Sequence, residues 1–207
     1  MSADGKCEKS RVINVGVLAL QGDFAEHIQI LKCMGVQTVE VRLPKDMVDI
    51  DALIIPGGES TTIGKLSVAF GLMAPLRRFA SEKPVWGTCA GAIFLAEEST
   101  GHDQPMLQVM DIVVQRNAFG RQVDSFETDL DIPAVKTSEN QRPVHAVFIR
   151  APLIERVGKD VEVLASLPDG RIVAARQGHL LATSFHPELT GDDRFHRYFI
   201  RMAAGLI

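Results

Sequence analysis

Pro84-Val85-Trp86-Gly87-Thr88-Cys89-Ala90-Gly91 decides the fold. Pro84 to Trp86 is a short strand-forming run, and Ala90 to Glu97 reads as a helix. Between them lies Gly-x-Cys-x-Gly, the sharp elbow that sets a nucleophile at the tip of a strand, with Cys in the place where Ser is common. Small residues on both sides let the backbone turn that tightly. A helix starting at Ala90 points its N-terminus at the sulfur. That field favours thiolate over thiol, and the thiolate is the nucleophile. The backbone N–H of Ala90 is then placed to stabilise an oxyanion. A buried structural Cys in a glycine-rich turn is the alternative, and the glycines at both elbow positions weigh against it. Cys33, near a helix end, and Cys7, in a polar tail, have no such frame.

The flanking sequence repeats the strand–helix alternation. Val15 to Leu20 is an apolar run suited to a strand buried on both faces. Gln21-Gly22 breaks it, and Asp23 with Glu26 has the spacing of a capping box. Phe24, Ile28 and Leu31 recur at helical spacing up to Gly35. Val36 to Leu43 alternates as a strand, Ala52 to Ile55 is another buried strand, and a helical stretch runs on to about residue 80. Alternating strands and helices predict a three-layer α/β fold, a mostly parallel sheet with helices on both faces. Beyond the elbow, Leu107–Gln115, Val144–Arg150, Val161–Leu167, Arg171–Arg176 and Leu180–Phe185 are strand-like, with a hairpin signal at Pro168-Asp169-Gly170. They predict an antiparallel extension. A last amphipathic helix is expected from about Asp192 to Ala204.

The whole chain has 207 residues. At roughly 150 residues per domain, one domain is expected over 12–207, preceded by a flexible tail at 1–11. The net charge of −4 lends no support to nucleic-acid binding, which asks for a basic surface. Three cysteines are too few for a disulfide framework, so a reduced, cytoplasmic compartment is expected. No apolar run approaches the ~18 residues of a membrane span, and the first eleven residues lack a signal-peptide core.

A cysteine nucleophile wants a histidine. Among His27, His102, His145, His179, His186 and His196, only His186 has a carboxylate at useful spacing after a strand, in Ser184-Phe185-His186-Pro187-Glu188. Pro187 pushes His186 toward extended backbone, where residues i and i+2 point the same way. His186 and Glu188 then project side by side, and Glu188 holds one ring nitrogen while the other faces the sulfur. His27 and His196, on helices, are read as surface or core residues. Pro56-Gly57-Gly58-Glu59-Ser60-Thr61-Thr62 follows a buried strand and fails the P-loop spacing, because five residues rather than four separate Gly58 from Gly64-Lys65. Its backbone N–H groups suit an oxyanion hole; a plain strand-to-helix turn stays open as the alternative. No Cys or His pair has metal-ligand spacing, and no cofactor is implied. Arg116 and Arg150 each end a strand-like run and could bind a carboxylate or form a surface ion pair.

Gly87-Thr-Cys-Ala-Gly91 with a late His186-Pro-Glu188 resembles the class I (triad) glutamine amidotransferases. Within them, Leu18-Ala-Leu-Gln-Gly-Asp23, Pro56–Thr62, Arg116–Glu127, Val147-Phe-Ile-Arg-Ala-Pro152 and Phe185–Gly191 resemble the family of glutaminase subunits of pyridoxal 5′-phosphate synthase. The resemblance implies a flavodoxin-like amidotransferase fold and hydrolysis of L-glutamine to glutamate and ammonia. It makes Cys89 the nucleophile, His186 the proton shuttle and Glu188 its orienter. It puts Gly58, Glu59, Ser60, Arg116, Ile149 and Arg150 at the substrate, and makes Gly57, Gly58 and Ala90 the oxyanion hole. It further implies a hetero-oligomer with a (β/α)₈-barrel synthase subunit that receives the ammonia, with Gln21 near that partner. The glutaminase subunit of another amidotransferase, a peptidase or DJ-1-like cysteine hydrolase, and a non-catalytic binding module are the competing expectations.

Overall fold

A computed structural model of the chain describes residues 12–101, 103–116 and 125–207. The expected tail at 1–11, with Cys7, lies outside the described residues, as do His102 and residues 117–124 of the Arg116–Glu127 stretch. The first half runs β1 (Asn14–Leu18), α1 (Phe24–Cys33), β2 (Gln37–Val41), β3 (Ala52–Ile55), α2 (Ser60–Ala69), α3 (Met73–Glu82), β4 (Val85–Thr88) and α4 (Ala90–Leu95). The second half adds β5 (Ala96–Thr100), β6 (Met110–Gln115), β7 (Ser125–Leu130), β8 (Val144–Ile149), β9 (Leu153–Val157), β10 (Glu162–Ser166), β11 (Ile172–Gln177), β12 (Leu180–Thr183) and α5 (Arg194–Ala203).

The main sheet has ten strands in the order β2-β1-β3-β4-β12-β11-β9-β6-β5, with β10 paired to β11. From β2 to β12 all neighbours are parallel. Beyond β12, the strands β11, β9 and β6 pair antiparallel, and β5 lies parallel to β6. β7 and β8 form a separate antiparallel pair. The expected three-layer, mostly parallel α/β architecture with an antiparallel extension is the one observed.

The apolar runs alternate between two cores. Val15, Val17 and Ile54 pack with α1 and α5, through Ile28, Leu31, Phe195 and Phe199. Leu53 and Ile55 face the opposite core of Ile63, Leu76, Phe79 and Phe94. That is why these strands read as unbroken apolar stretches: both pleat directions are covered. On α5, Phe195, Tyr198, Phe199 and Met202 are buried at the i, i+3, i+4, i+7 spacing of one helical face. Each such side chain taken fully out of water stabilises the fold by roughly 1.5–3 kcal/mol. A surface ion pair such as Arg42–Glu40 contributes about 0–1 kcal/mol, so the two cores hold the helices on the sheet. Among the described residues, no helix is long and apolar enough to cross a membrane.

Several local expectations are corrected. The helical stretch toward residue 80 is two helices. Gly71, at φ +68°, ends α2, with Leu72 N–H reaching back to Ser67 O at 2.8 Å. The helix from Ala90 stops at Leu95 rather than Glu97, because Ala96 joins β5 opposite Met110 of β6. The strand expected from Leu107 begins at Met110, and β7 and β9 were not anticipated. Asp23 makes no side-chain cap to α1; its carboxylate is engaged elsewhere.

Candidate active site

β4 and β12 are parallel neighbours in register, Thr88 opposite Thr183. Their carboxyl ends therefore deliver Cys89 and the Phe185-His186 segment to one edge, where open α/β sheets keep their ligand crevices. Cys89 has φ +48° and ψ −106°. A non-glycine residue there stores about 1–3 kcal/mol of strain and persists only when its surroundings impose it. Cys89 N–H donates to Thr183 O at 2.8 Å, pinning the turn to β12. Gly91 completes the constraint: a Cβ on it would lie 1.9 Å from Ile55 O, so only glycine lets α4 settle on the end of β3. Cys89 is 6% exposed, and its Sγ lies 4.0 Å from Ile149 O.

His186 N–H donates to Val147 O at 2.9 Å, which fixes the backbone after β12. The two side chains do not project from extended chain as the sequence predicts. Pro187–Leu189 is a turn of 3-10 helix, and across it Glu188 Oε1 reaches His186 Nδ1 at 2.7 Å. Asp23 Oδ2 approaches the same Nδ1 at 3.4 Å. A nitrogen facing two carboxylates carries the proton, so the other ring nitrogen is the one left for Cys89. Burial opposes the imidazolium. Hydrogen bonding with Asp23, Cys89 and Glu188 outweighs it and raises the His186 pKa to about 12. Burial pushes the Glu188 carboxyl up, against the pull of His186. The ligand atoms of Asp23, His186 and Glu188 lie within 4.8 Å of one another, a spacing that could also hold a metal ion. The short Nδ1–Glu188 contact marks the set as an imidazole held between two carboxylates.

Two loops close the other wall. Gln21 Oε1 accepts from Glu59 N–H at 2.7 Å, and Asp23 N–H donates to Gly57 O at 3.2 Å. A Cβ on Gly57 would stand 2.5 Å from His186 Cε1, so the imidazole packs directly on this backbone. Glu59 caps α2, accepting from Thr61 N–H at 3.1 Å and Thr62 N–H at 2.7 Å. Burial acts against its charge, but the Thr62 and Thr61 donors lower its pKa to about 2. Arg116 donates to Glu59 Oε1 at 3.2 Å, Gln104 Oε1 at 2.7 Å and Thr61 Oγ1 at 3.1 Å. Of the two roles left open for Arg116, the structure displays the ion pair. As α4's first residue, Ala90 has an N–H with no acceptor inside the helix.

A cleft of about 400 Å³ collects these groups. Cys89, Ala90, His186, Gly58, Glu59, Ser60, Arg116, Ile149 and Arg150 all line it; Gly57 lies behind the imidazole and Glu188 is sealed beneath it. Sequence reasoning missed Asp23, taken for a helix cap, and Gln104, which braces Arg116. His27 and His196, read as surface or core residues, are both fully buried. The spacing of four between Asp23 and His27, about one helical turn, puts them near one another but does not name their partners on the 186–188 turn.

A family model described as the SNO glutamine amidotransferase family matches residues 17–205. The chain is 60% identical over 192 residues to the pyridoxal 5′-phosphate synthase subunit PdxT of Herpetosiphon aurantiacus, covering 91% of this chain and 99% of that one. A solved structure described as a glutamine amidotransferase superposes with a TM-score of 0.84 at 52% identity, covering 91% of this chain and 98% of that one. PurLQS from Thermotoga maritima shares the fold alone, with a TM-score of 0.65 at 17% identity over 94% of this chain and 99% of that one.

Proposed function

The chain belongs to the SNO glutamine amidotransferase family, and on that premise we propose that Cys89, His186 and Glu188 carry out its chemistry. It is the glutaminase of pyridoxal 5′-phosphate synthase: it hydrolyses L-glutamine, supplying ammonia for pyridoxal 5′-phosphate synthesis, and it works with a synthase partner.

Cys89 thiolate adds to the side-chain amide carbon of glutamine, and the carbonyl oxygen becomes an oxyanion. The N–H of Ala90 and the Gly57-Gly58 backbone stabilise that charge. His186 gives its proton to the departing nitrogen, ammonia leaves, and a γ-glutamyl thioester remains on Cys89. His186 then takes a proton from water as the water attacks the thioester. Glutamate departs, and the proton ends on the imidazole beside the restored thiolate. Glu188 keeps the ring in one tautomer throughout. Gly58, Glu59, Ser60, Arg116, Ile149 and Arg150 hold the rest of the substrate, Glu59 and Arg116 acting as a joined frame. Ammonia that picks up a proton loses its lone pair, which favours a closed passage into a (β/α)₈-barrel subunit of a hetero-oligomer, with Gln21 on that side. Residues 12–207 form one glutaminase domain, and a reduced cytoplasm suits its free thiol.

The observation that carries this reading is the convergence of a strained Cys89 elbow and a Glu188-held His186 on one cleft. Glutamate release from glutamine, with and without the barrel subunit, tests it. We expect partner-dependent activity that vanishes in Cys89→Ala. Undiminished glutamate release by that variant would end the assignment.

A further inference from the structure

Glu188 uses one oxygen on His186. The other, Oε2, is buried and makes no hydrogen bond of good geometry among the described residues. A carboxylate oxygen left so in a dry interior costs more than a surface one, so what faces it matters. His27 Nε2, from α1, faces it at 3.4 Å and stands 3.3 Å from Thr88 Oγ1, one residue before the nucleophile. On the far side, His27 Nδ1 meets His196 Nε2 of α5 at 2.9 Å. Both imidazoles are fully buried. Trp86 packs edge-on against each, at centroid distances of 5.6 and 5.0 Å.

The tautomers follow from counting protons. If His27 carried its proton on Nδ1, a bare Nε2 lone pair would face a carboxylate, and His196 would keep a buried N–H on Nδ1 without a partner. If His27 carries it on Nε2, that N–H faces Thr88 Oγ1, its hydrogen-bond partner at 3.3 Å, and Glu188 Oε2 at 3.4 Å; Nδ1 accepts from His196 Nε2–H, and His196 Nδ1 is left with a lone pair and not with an N–H. The second arrangement is the cheaper one. Burial and the neighbouring rings keep His27 neutral, with its pKa well below the usual histidine value, so it acts as a dipole and not as a second cation.

We infer that His27 is a positioning residue: anchored on Thr88 and with its tautomer fixed by His196, it turns its Nε2–H dipole toward the second oxygen of Glu188, so that Glu188 stays ionised and aimed at His186. The inference rests on the proposed triad and adds a tier beneath it. Around Glu188, the facing titratable groups are His186 on its own turn, Asp23 before α1 and His27; behind His27 stand His196 and, at the start of α5, Asp192 and Asp193.

The test is glutaminase turnover in the complex with the synthase subunit, for His27→Leu, His27→Asn and His27→Gln. A glutamine amide reaches the position of Nε2, whereas an asparagine amide reaches that of Nδ1. Loosening an orienting group by about 1 Å costs on the order of 100-fold, so we expect kcat to fall roughly 10- to 100-fold in Leu and Asn. KM for glutamine should move less than about twofold, the acid limb of the pH profile should shift to higher pH, and Gln should restore most of both. Should Leu fail to fold, Asn against Gln decides. An unmoved acid limb, or equal behaviour of Asn and Gln, overturns the inference. Either result with Cys89→Ala inactive leaves the triad standing; an active Cys89→Ala would instead remove the triad itself.

Discussion

His186 has two sides, and they are built on opposite principles. Toward the cleft it meets Asp23, whose side chain is 38% exposed, and shares the cavity with the Glu59–Arg116 pair, in which Glu59 is half exposed. Toward the interior it meets Glu188, behind which stand His27 and His196, all 6% exposed or less. The open side can adjust to a substrate because water screens its charges. The sealed side cannot adjust, and there each missing proton or lone pair carries its full desolvation cost. On the proposed reading, the open face serves recognition and the closed face serves alignment.

Experiments can break that contrast, and the sealed side should give the largest effects. In Glu188→Gln the orienting charge is lost with little change of shape, and we expect kcat to fall by about 10³-fold, within the 10²–10⁴ range typical of acid–base groups. Steady-state glutamate release would show it; a loss under tenfold would mean that Asp23 alone can hold the ring. Next comes acid sensitivity. The His196 pKa is lowered from 6.5 to about 4 by burial, so the unfolded chain takes up its proton first as pH falls. Stability is then complete above 6.5 and drains between 6.5 and about 4, by on the order of 3 kcal/mol for this group. Urea unfolding of the parent and His196→Gln across that window should give a shallower pH slope in the variant.

Smaller effects belong to the open side. Asp23→Asn leaves Glu188 on Nδ1, so we expect a loss of only about three- to tenfold in kcat/KM, which a glutamine titration would measure. Glu59→Gln weakens the α2 cap by about 1 kcal/mol, visible as a small drop in melting temperature. It also frees one contact of Arg116. A larger effect from Asp23 than from Glu188 would reverse the two roles.

The features legible in the sequence were the local ones. The Cys89 elbow, the His186-Pro187-Glu188 run and the doubly buried strands each declare themselves within a few residues. The long helix toward residue 80 was misread because apolar residues continue past Gly71, whose positive φ alone marks the break. β5, Ala-Glu-Glu-Ser-Thr, has no alternation and exists because β6 pairs with it. Asp23 has cap chemistry, so its real partner 163 positions later in His186 could not be guessed from spacing. The meeting of His27 with His196, from α1 and α5, likewise depends on Trp86 packing between two helices.

The strand that leads to His186, β12, slots between β4 and β11 although it is the last strand of the sheet to be made. Until β12 is made, the turn that carries Cys89 lacks the Thr183 carbonyl that pins it, and the sheet has a gap at its centre. The cysteine turn and the imidazole segment are therefore completed together, in the same event that closes the sheet.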